Sequence, residues 1–141
     1  MPTIKLAPTP EDHRLCFPVM KQLRPHLTED EFVERVGRQA REGYLLAYLE
    51  DEGEVRGVAG FRIFECLHQG RFLYVDDLVT DERSRSRGYG DKLFDWLAAK
   101  ARADGCEALT LDSGVQRHDA HRFYLRKRMR IASYHFSLPL S

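Results

Sequence analysis

The order of elements readable in this sequence predicts an α+β fold built on a mainly antiparallel sheet. Three observations carry that reading. Two helix patterns lie near the N-terminus, three strand patterns then follow one another through tight turns, and helix and strand alternate only in the last third of the chain. A doubly wound sheet would need that alternation throughout, so an antiparallel first half with a helix crossover near the end fits better. The chain has 141 residues, the length of one domain, and can bury a core without staples.

Thr3 to Leu6 alternates weakly and reads as a first strand. Thr9-Pro10-Glu11-Asp12 opens a helix with a capping residue, an early proline and early acids. Leu15, Val19 and Leu23 form its apolar stripe, and Arg24-Pro25-His26 ends it. Thr28-Glu29-Asp30-Glu31 has capping-box spacing for a second helix, with Phe32, Val33 and Val36 as its buried side and Gly43 as its end. Tyr44 to Leu49 is a strand, Asp51-Glu52-Gly53-Glu54 a hairpin turn, and Val55 to Leu67 a strand broken up by Gly57 and Gly60. After His68-Gln69-Gly70, Phe72 to Thr80 is the strongest strand pattern in the chain. A helix from Tyr89 to Asp104 carries Leu93, Phe94, Trp96 and Leu97 at helical spacing. Ala108 to Leu111 is a short strand, His118 to Lys127 a helix, and Ile131 to Leu138 a last strand.

Composition narrows the function classes. Hydrophobic residues make up 43% and charged residues 31%, as in globular proteins rather than disordered ones. Lys and Arg total 22, and so do Asp and Glu, which argues against a nucleic-acid partner. Cys16, Cys66 and Cys106 are scattered and form no C-x-x-C pair, which points to reduced thiols and a cytoplasmic protein. No apolar run reaches membrane length, so no membrane partner is expected.

The chemistry concentrates in Arg85-Ser86-Arg87-Gly88-Tyr89-Gly90, between the best strand and the best helix. Two glycines let the backbone curl and approach a ligand, and successive N–H groups at a helix N-terminus bind phosphate oxygens. Arg83, Arg85 and Arg87 place positive charge beside it. The segment is neither a P-loop, lacking G-x-x-x-x-G-K-[ST], nor a dinucleotide fingerprint, because Leu93 stands where the third glycine belongs. A solvated basic turn is the other reading of these residues alone.

Leu78-Val79-Thr80 through Gly90 resembles the acetyl-CoA motif of the GNAT (Gcn5-related N-acetyltransferase) superfamily, [Q/R]-x-x-G-x-[G/A], matched at Arg85, Gly88 and Gly90. Asp112 to Tyr124 is similar to the second GNAT signature, a strand followed by a helix carrying A-x-x-[F/L]-Y, here Ala120 to Tyr124. Locally it is similar to bacterial aminoalkylphosphonate N-acetyltransferases. The resemblance implies a mixed, mostly antiparallel sheet of six to seven strands flanked by about four helices, in a single domain over residues 1–141. It implies acetyl-CoA as co-substrate. The amides of Arg85, Ser86, Arg87, Gly88, Tyr89 and Gly90 would hold the pyrophosphate, and the backbone of Leu78 and Val79 would pair with the pantetheine arm. Tyr124 matches the tyrosine that protonates the departing thiolate. The chain departs from the pattern at Arg117, where relatives often have Asn, and at Arg128-Met129, where they usually have Gly-Phe. Losing that glycine removes the easy left-handed end of the helix.

Acetyl transfer to nitrogen needs a neutral amine, held against the thioester. Asp76 and Asp77 are the candidates for binding the ammonium and removing its proton, because two carboxylates in a buried-looking strand are costly unless used. Strand neighbours face opposite sides, so only one is expected to do this, with Asp76 preferred. Periodicity alone reads Tyr124 as a core aromatic, and the motif match is what favours the acid. His118 and His121, with Asp119 between them, read as polar groups at a helix start, so no metal is expected. Arg126, Lys127, Arg128 and Arg130 read as a solvated helix end. The acceptor side falls to the first two helices and the hairpin, where Phe17, Lys21, Arg24, His26 and Tyr44 are available. Lys21 and Arg24 would suit an anionic group on the acceptor. The expected activity is acetyl transfer from acetyl-CoA to the primary amine of a small molecule. A protein or peptide N-acetyltransferase and a non-catalytic acyl-CoA sensor are the alternatives. The resemblance also allows a homodimer paired through the last strand or the sheet edge.

Overall fold

The computed structural model describes residues 1–141, which divide into two compact units, residues 1–110 and 111–141. In the first, β1 (Thr3–Leu6) leads into α1 (Pro10–Leu23) and α2 (Glu29–Ala40). A meander of β2 (Leu45–Asp51), β3 (Glu54–Cys66) and β4 (Gly70–Thr80) follows, then α3 (Tyr89–Ala103) and β5 (Ala108–Leu111), which runs into the second unit. Both predicted helix starts are full capping boxes: Thr9 with Asp12, and Thr28 with Glu31, each side chain and backbone bonded reciprocally.

The sheet has five strands in the order β1-β2-β3-β4-β5, and β1 to β4 pair antiparallel. Strand alternation sends Leu46, Tyr48 and Val58 toward α1 and α2, where they join Cys16, Met20, Phe32 and Val36 in one cluster. Phe61 faces the other way, its ring 6.0 Å from that of Trp96 on α3. On that face Gly57 has a reason to lack a side chain, since a Cβ there would stand 3.3 Å from Leu93. Leu15, expected in the buried stripe of α1, is 55% exposed; the buried residues are His13, Cys16, Phe17, Val19 and Met20.

Two register shifts position the site. Between β2 and β3 the pairing passes from Leu49↔Gly57 to Glu50↔Val55, leaving Arg56 as the extra residue. Between β3 and β4 it passes from Gly60↔Asp77 to Phe61↔Val75, leaving Asp76 as the extra residue. Each is a β-bulge, which bends the strand and re-aims side chains.

The second unit holds α4 (His118–Arg126) and the chain beyond it. The glycine missing from the end of α4 leaves the cap geometry intact. Arg128 takes the left-handed conformation itself, with φ 70°, and the N–H groups of Arg128 and Met129 bond the carbonyls of Leu125 and Tyr124. The predicted last strand, Ile131 to Leu138, is not a strand, so the sheet has five strands rather than six or seven. Tyr134, Phe136 and Leu138 alternate as a strand would but stand more than 80% exposed. Alternation marks a face, and a strand also needs a partner edge, which this unit does not provide.

Candidate functional site

The loop after β4 is held from below. Asp81, fully buried, caps a short 3-10 turn (Glu82–Ser84). It accepts hydrogen bonds from the Arg83 guanidinium, the Arg83 N–H and Gln22 Nε2, and the Arg83 bonds above all hold its carboxyl far below the usual range. Gln22 on α1 also accepts the Glu82 N–H at 2.9 Å. The bulged Arg56 accepts the Asp81 N–H with its carbonyl and reaches Ser84 Oγ with its guanidinium.

Above these anchors the backbone curls through two left-handed residues, Ser86 at φ 73° and Gly88 at φ 81°. Gly88 is the N-cap of α3 and supplies no side-chain cap, and the first helical bond runs from Lys92 N–H to the Gly88 carbonyl. The N–H groups of Tyr89, Gly90 and Asp91 therefore precede the helical bonding pattern and form an anion-binding helix start. The Tyr89 side chain turns away from the loop, buried, and donates to Asp51 Oδ2 at 2.6 Å. That bond holds the Asp51 carboxyl below its ordinary value and raises the Tyr89 phenol.

The three arginines do not share one task. Arg83 is committed to Asp81, and Arg87 donates to Glu52 Oε1 at 3.0 Å while lying over the Tyr89 ring. Arg85 is exposed and makes no such pair. Of the three arginines expected to add charge beside the loop, Arg85 alone is free of an acidic partner, and Arg87 is shared with Glu52. The loop's backbone donors and the Arg85 cation fit a diphosphate group.

Leu78 and Val79 pair with Ala59 and Val58 on the β3 side. On the other side β5 starts where the Glu107 N–H bonds the Arg71 carbonyl.

A cleft of about 330 Å³ opens between α1, α2 and β4. Its floor is apolar, from Met20, Leu27, Phe32 and Val36, and its wall carries both Asp76 and Asp77. Ordinary strand alternation predicts that the two face opposite sides; the bulge at Asp76 overturns this and brings both to one cleft. Asp76 accepts two bonds from Arg62, at 2.9 and 3.0 Å, yet burial holds its carboxyl above the ordinary range. Asp77 accepts from Arg24 Nε at 3.0 Å and from the Tyr44 hydroxyl at 2.7 Å. Burial first, and Asp77 second, push the Tyr44 phenol well above its normal value. Phe17 and Lys21 do not line the cleft, whereas Arg24, His26 and Tyr44 do. Arg35 and Gln39 also line it and escaped the sequence reading, although their spacing from Phe32 places them on the same face of α2.

Tyr124 lies in the second unit, in the last turn of α4, half-buried with its ring nearly perpendicular to that of Phe123. Burial raises its phenol, and Arg117 opposes the shift. His121 bonds the Gly114 carbonyl through Nε2 and Asp119 pairs with Arg122, local roles for polar groups at a helix start.

A family model described as the Acetyltransferase (GNAT) family matches residues 8–129. The uncharacterized N-acetyltransferase YhdJ of Bacillus subtilis (strain 168) is 36% identical over 132 residues, which cover 92% of this chain and 93% of that protein. The aminoalkylphosphonate N-acetyltransferase of Salmonella typhimurium is 32% identical over 89 residues, or 62% of this chain and 58% of that enzyme. Among solved structures, an aminoglycoside N-acetyltransferase in complex with CoA shares the fold at a TM-score of 0.85 and 12% identity, over 99% of this chain and 94% of that one. No helix is long and apolar enough to cross a membrane.

Proposed function

The chain belongs to the acetyltransferase (GNAT) family, and we propose that it acetylates the primary amine of a small molecule, using acetyl-CoA, by direct attack in a ternary complex. The observation that carries this reading is the bulge at Asp76. It sets two carboxylates into one cleft, one to three residues from the backbone of Leu78 and Val79. Acetyl-CoA supplies an activated acetyl thioester. The loop amides from Arg85 to Gly90, with the Arg85 cation, hold its diphosphate, and Leu78 and Val79 align its extended arm along β4.

The remaining work is positioning and proton transfer. The ammonium form of the acceptor docks at the acidic wall, and Asp76 takes its proton, directly or through water. The freed lone pair forms the new C–N bond as the C–S bond breaks, and the second N–H proton then leaves the nitrogen and replaces the one that Tyr124 gives up. Tyr124, kept protonated by burial, returns a proton to the departing sulfur. Asp77 acts as a positioning residue, holding Arg24 and the Tyr44 hydroxyl at the cleft wall.

Calorimetric titration with acetyl-CoA tests the cofactor half, with wild type beside Gly88→Glu. The substitution puts bulk and negative charge at a left-handed position. Micromolar binding to wild type, lost in a variant whose circular dichroism shows it folded, is the expected result. Absence of binding to wild type overturns the assignment. Thiol release with a panel of small amines then tests transfer.

A further inference from the structure

We propose that the acceptor is zwitterionic: a primary amine joined by a short apolar spacer to a carboxylate or phosphonate, whose oxyanion is held by Arg35 at the mouth of the cleft. This deepens the acetyltransfer reading and rests on it.

Two cations, Arg24 and Arg35, and two carboxylates, Asp76 and Asp77, line the cleft, but they do not pair one to one. Asp76 is neutralised by Arg62, which does not line the cleft, and Asp77 by Arg24, which does. Arg35 is left over. It is exposed at the rim and makes no hydrogen bond or salt bridge. Its acidic neighbour one helical turn back, Glu31, is engaged elsewhere, accepting the Thr28 N–H at 3.1 Å in the capping box. That bond is the main reason the Glu31 carboxyl is held below its ordinary value. The next acid on the helix, Glu34, pairs with Arg38 instead. Glu31 and Arg35 interact only through charge, with no hydrogen bond or ion pair between them.

The residues expected from sequence to meet such an anion are spent. Lys21 donates to the Leu27 carbonyl and lies over the Phe17 ring, and Arg24 is bound to Asp77. His26 lines the same rim as Arg35 and adds a ring N–H. Between the wall, whose carboxylate oxygens can still accept from an ammonium, and the basic rim, which suits an oxyanion, the floor offers Met20, Leu27, Phe32 and Val36. That floor matches methylene groups rather than a polyhydroxylated or peptide backbone.

The test compares kcat/KM for thiol release with 3-aminopropylphosphonate, 4-aminobutyrate and uncharged butylamine, in wild type, Arg35→Gln and Arg35→Lys. Wild type should favour one or both anionic amines over butylamine by about tenfold or more, the value of a charge-assisted bond. The two anionic arms separate phosphonate from carboxylate. Arg35→Gln should bring the ratio close to one through a raised KM, and Arg35→Lys should restore part of it. Equal use of all three amines by wild type, or an unchanged ratio in folded Arg35→Gln, overturns the proposal while leaving acetyl transfer standing. Calorimetric binding of 3-aminopropylphosphonate that Arg35→Gln abolishes, without any thiol release, keeps the anion site and removes the transfer reading.

Discussion

The Tyr44 hydroxyl occupies the space that a Cβ on Gly60 would need, and from there it donates a 2.7 Å hydrogen bond to Asp77. Gly60 and Asp77 are partners across β3 and β4, so the glycine that interrupts a strand pattern makes room for a phenol beside a carboxylate. The cleft's acidic wall depends on this absence of a side chain as much as on the acids.

Gly60→Ala should therefore displace the Tyr44 ring and destabilise the protein by about 2 kcal/mol, as overpacking does. Tyr44→Phe keeps the ring and loses only its bond, at about 1 kcal/mol. Urea denaturation measures both. A Gly60→Ala protein as stable as wild type would place the Tyr44 side chain elsewhere.

Asp76 gives the acetylation reading a pH signature. Burial raises its pKa, so the protonated, inactive form persists to higher pH than in a free aspartate. Activity should rise with pH through an acid limb displaced upward from that of an ordinary aspartate. Asp76→Asn should remove that limb and lower kcat by roughly a hundredfold. Asp77→Asn should keep the limb and act through loss of the Tyr44 and Arg24 bonds. An unaltered limb in Asp76→Asn would assign the proton transfer to another group.

Glu52, in the β2–β3 turn, holds Arg87 and so competes with a phosphate for it. Glu52→Gln should tighten acetyl-CoA binding by roughly twofold to fivefold at low salt, since the pair is solvent-exposed and weak. The gain should fade as ionic strength rises. Calorimetry at two salt concentrations decides; weaker binding would show that Glu52 orders the arginine for its ligand.

Arg128 adopts a left-handed conformation that glycine takes without strain. Arg128→Gly should stabilise the protein by about 1 kcal/mol. No gain in thermal unfolding would mean that the Arg128 side chain offsets the strain through its own contacts.

Local signals were legible because their physics is local. Thr9 and Thr28 announce helices through bonds made within four residues. Leu93, Phe94 and Leu97 mark the buried side of α3 at helical spacing. Gly88 marks a backbone turn that few other residues would take. Hydrophobic alternation failed at Ile131 to Leu138, where the pattern exists but nothing in its own unit pairs with it. It also misjudged Asp76 and Asp77, because a bulge belongs to the pairing of two strands and leaves no mark in either one.

By itself, then, the sequence determined the order of the elements, the capped helix starts and a phosphate-binding turn between a strand and a helix. These rest on hydrogen bonds and spacings along one stretch of chain. Only the tertiary structure decided that Arg83 belongs to Asp81, that Arg62 and Arg24 neutralise the two acids, and that Arg35 is left unpaired. A charged side chain's availability is what remains after all its neighbours in space have been paired, and those neighbours are set by folding.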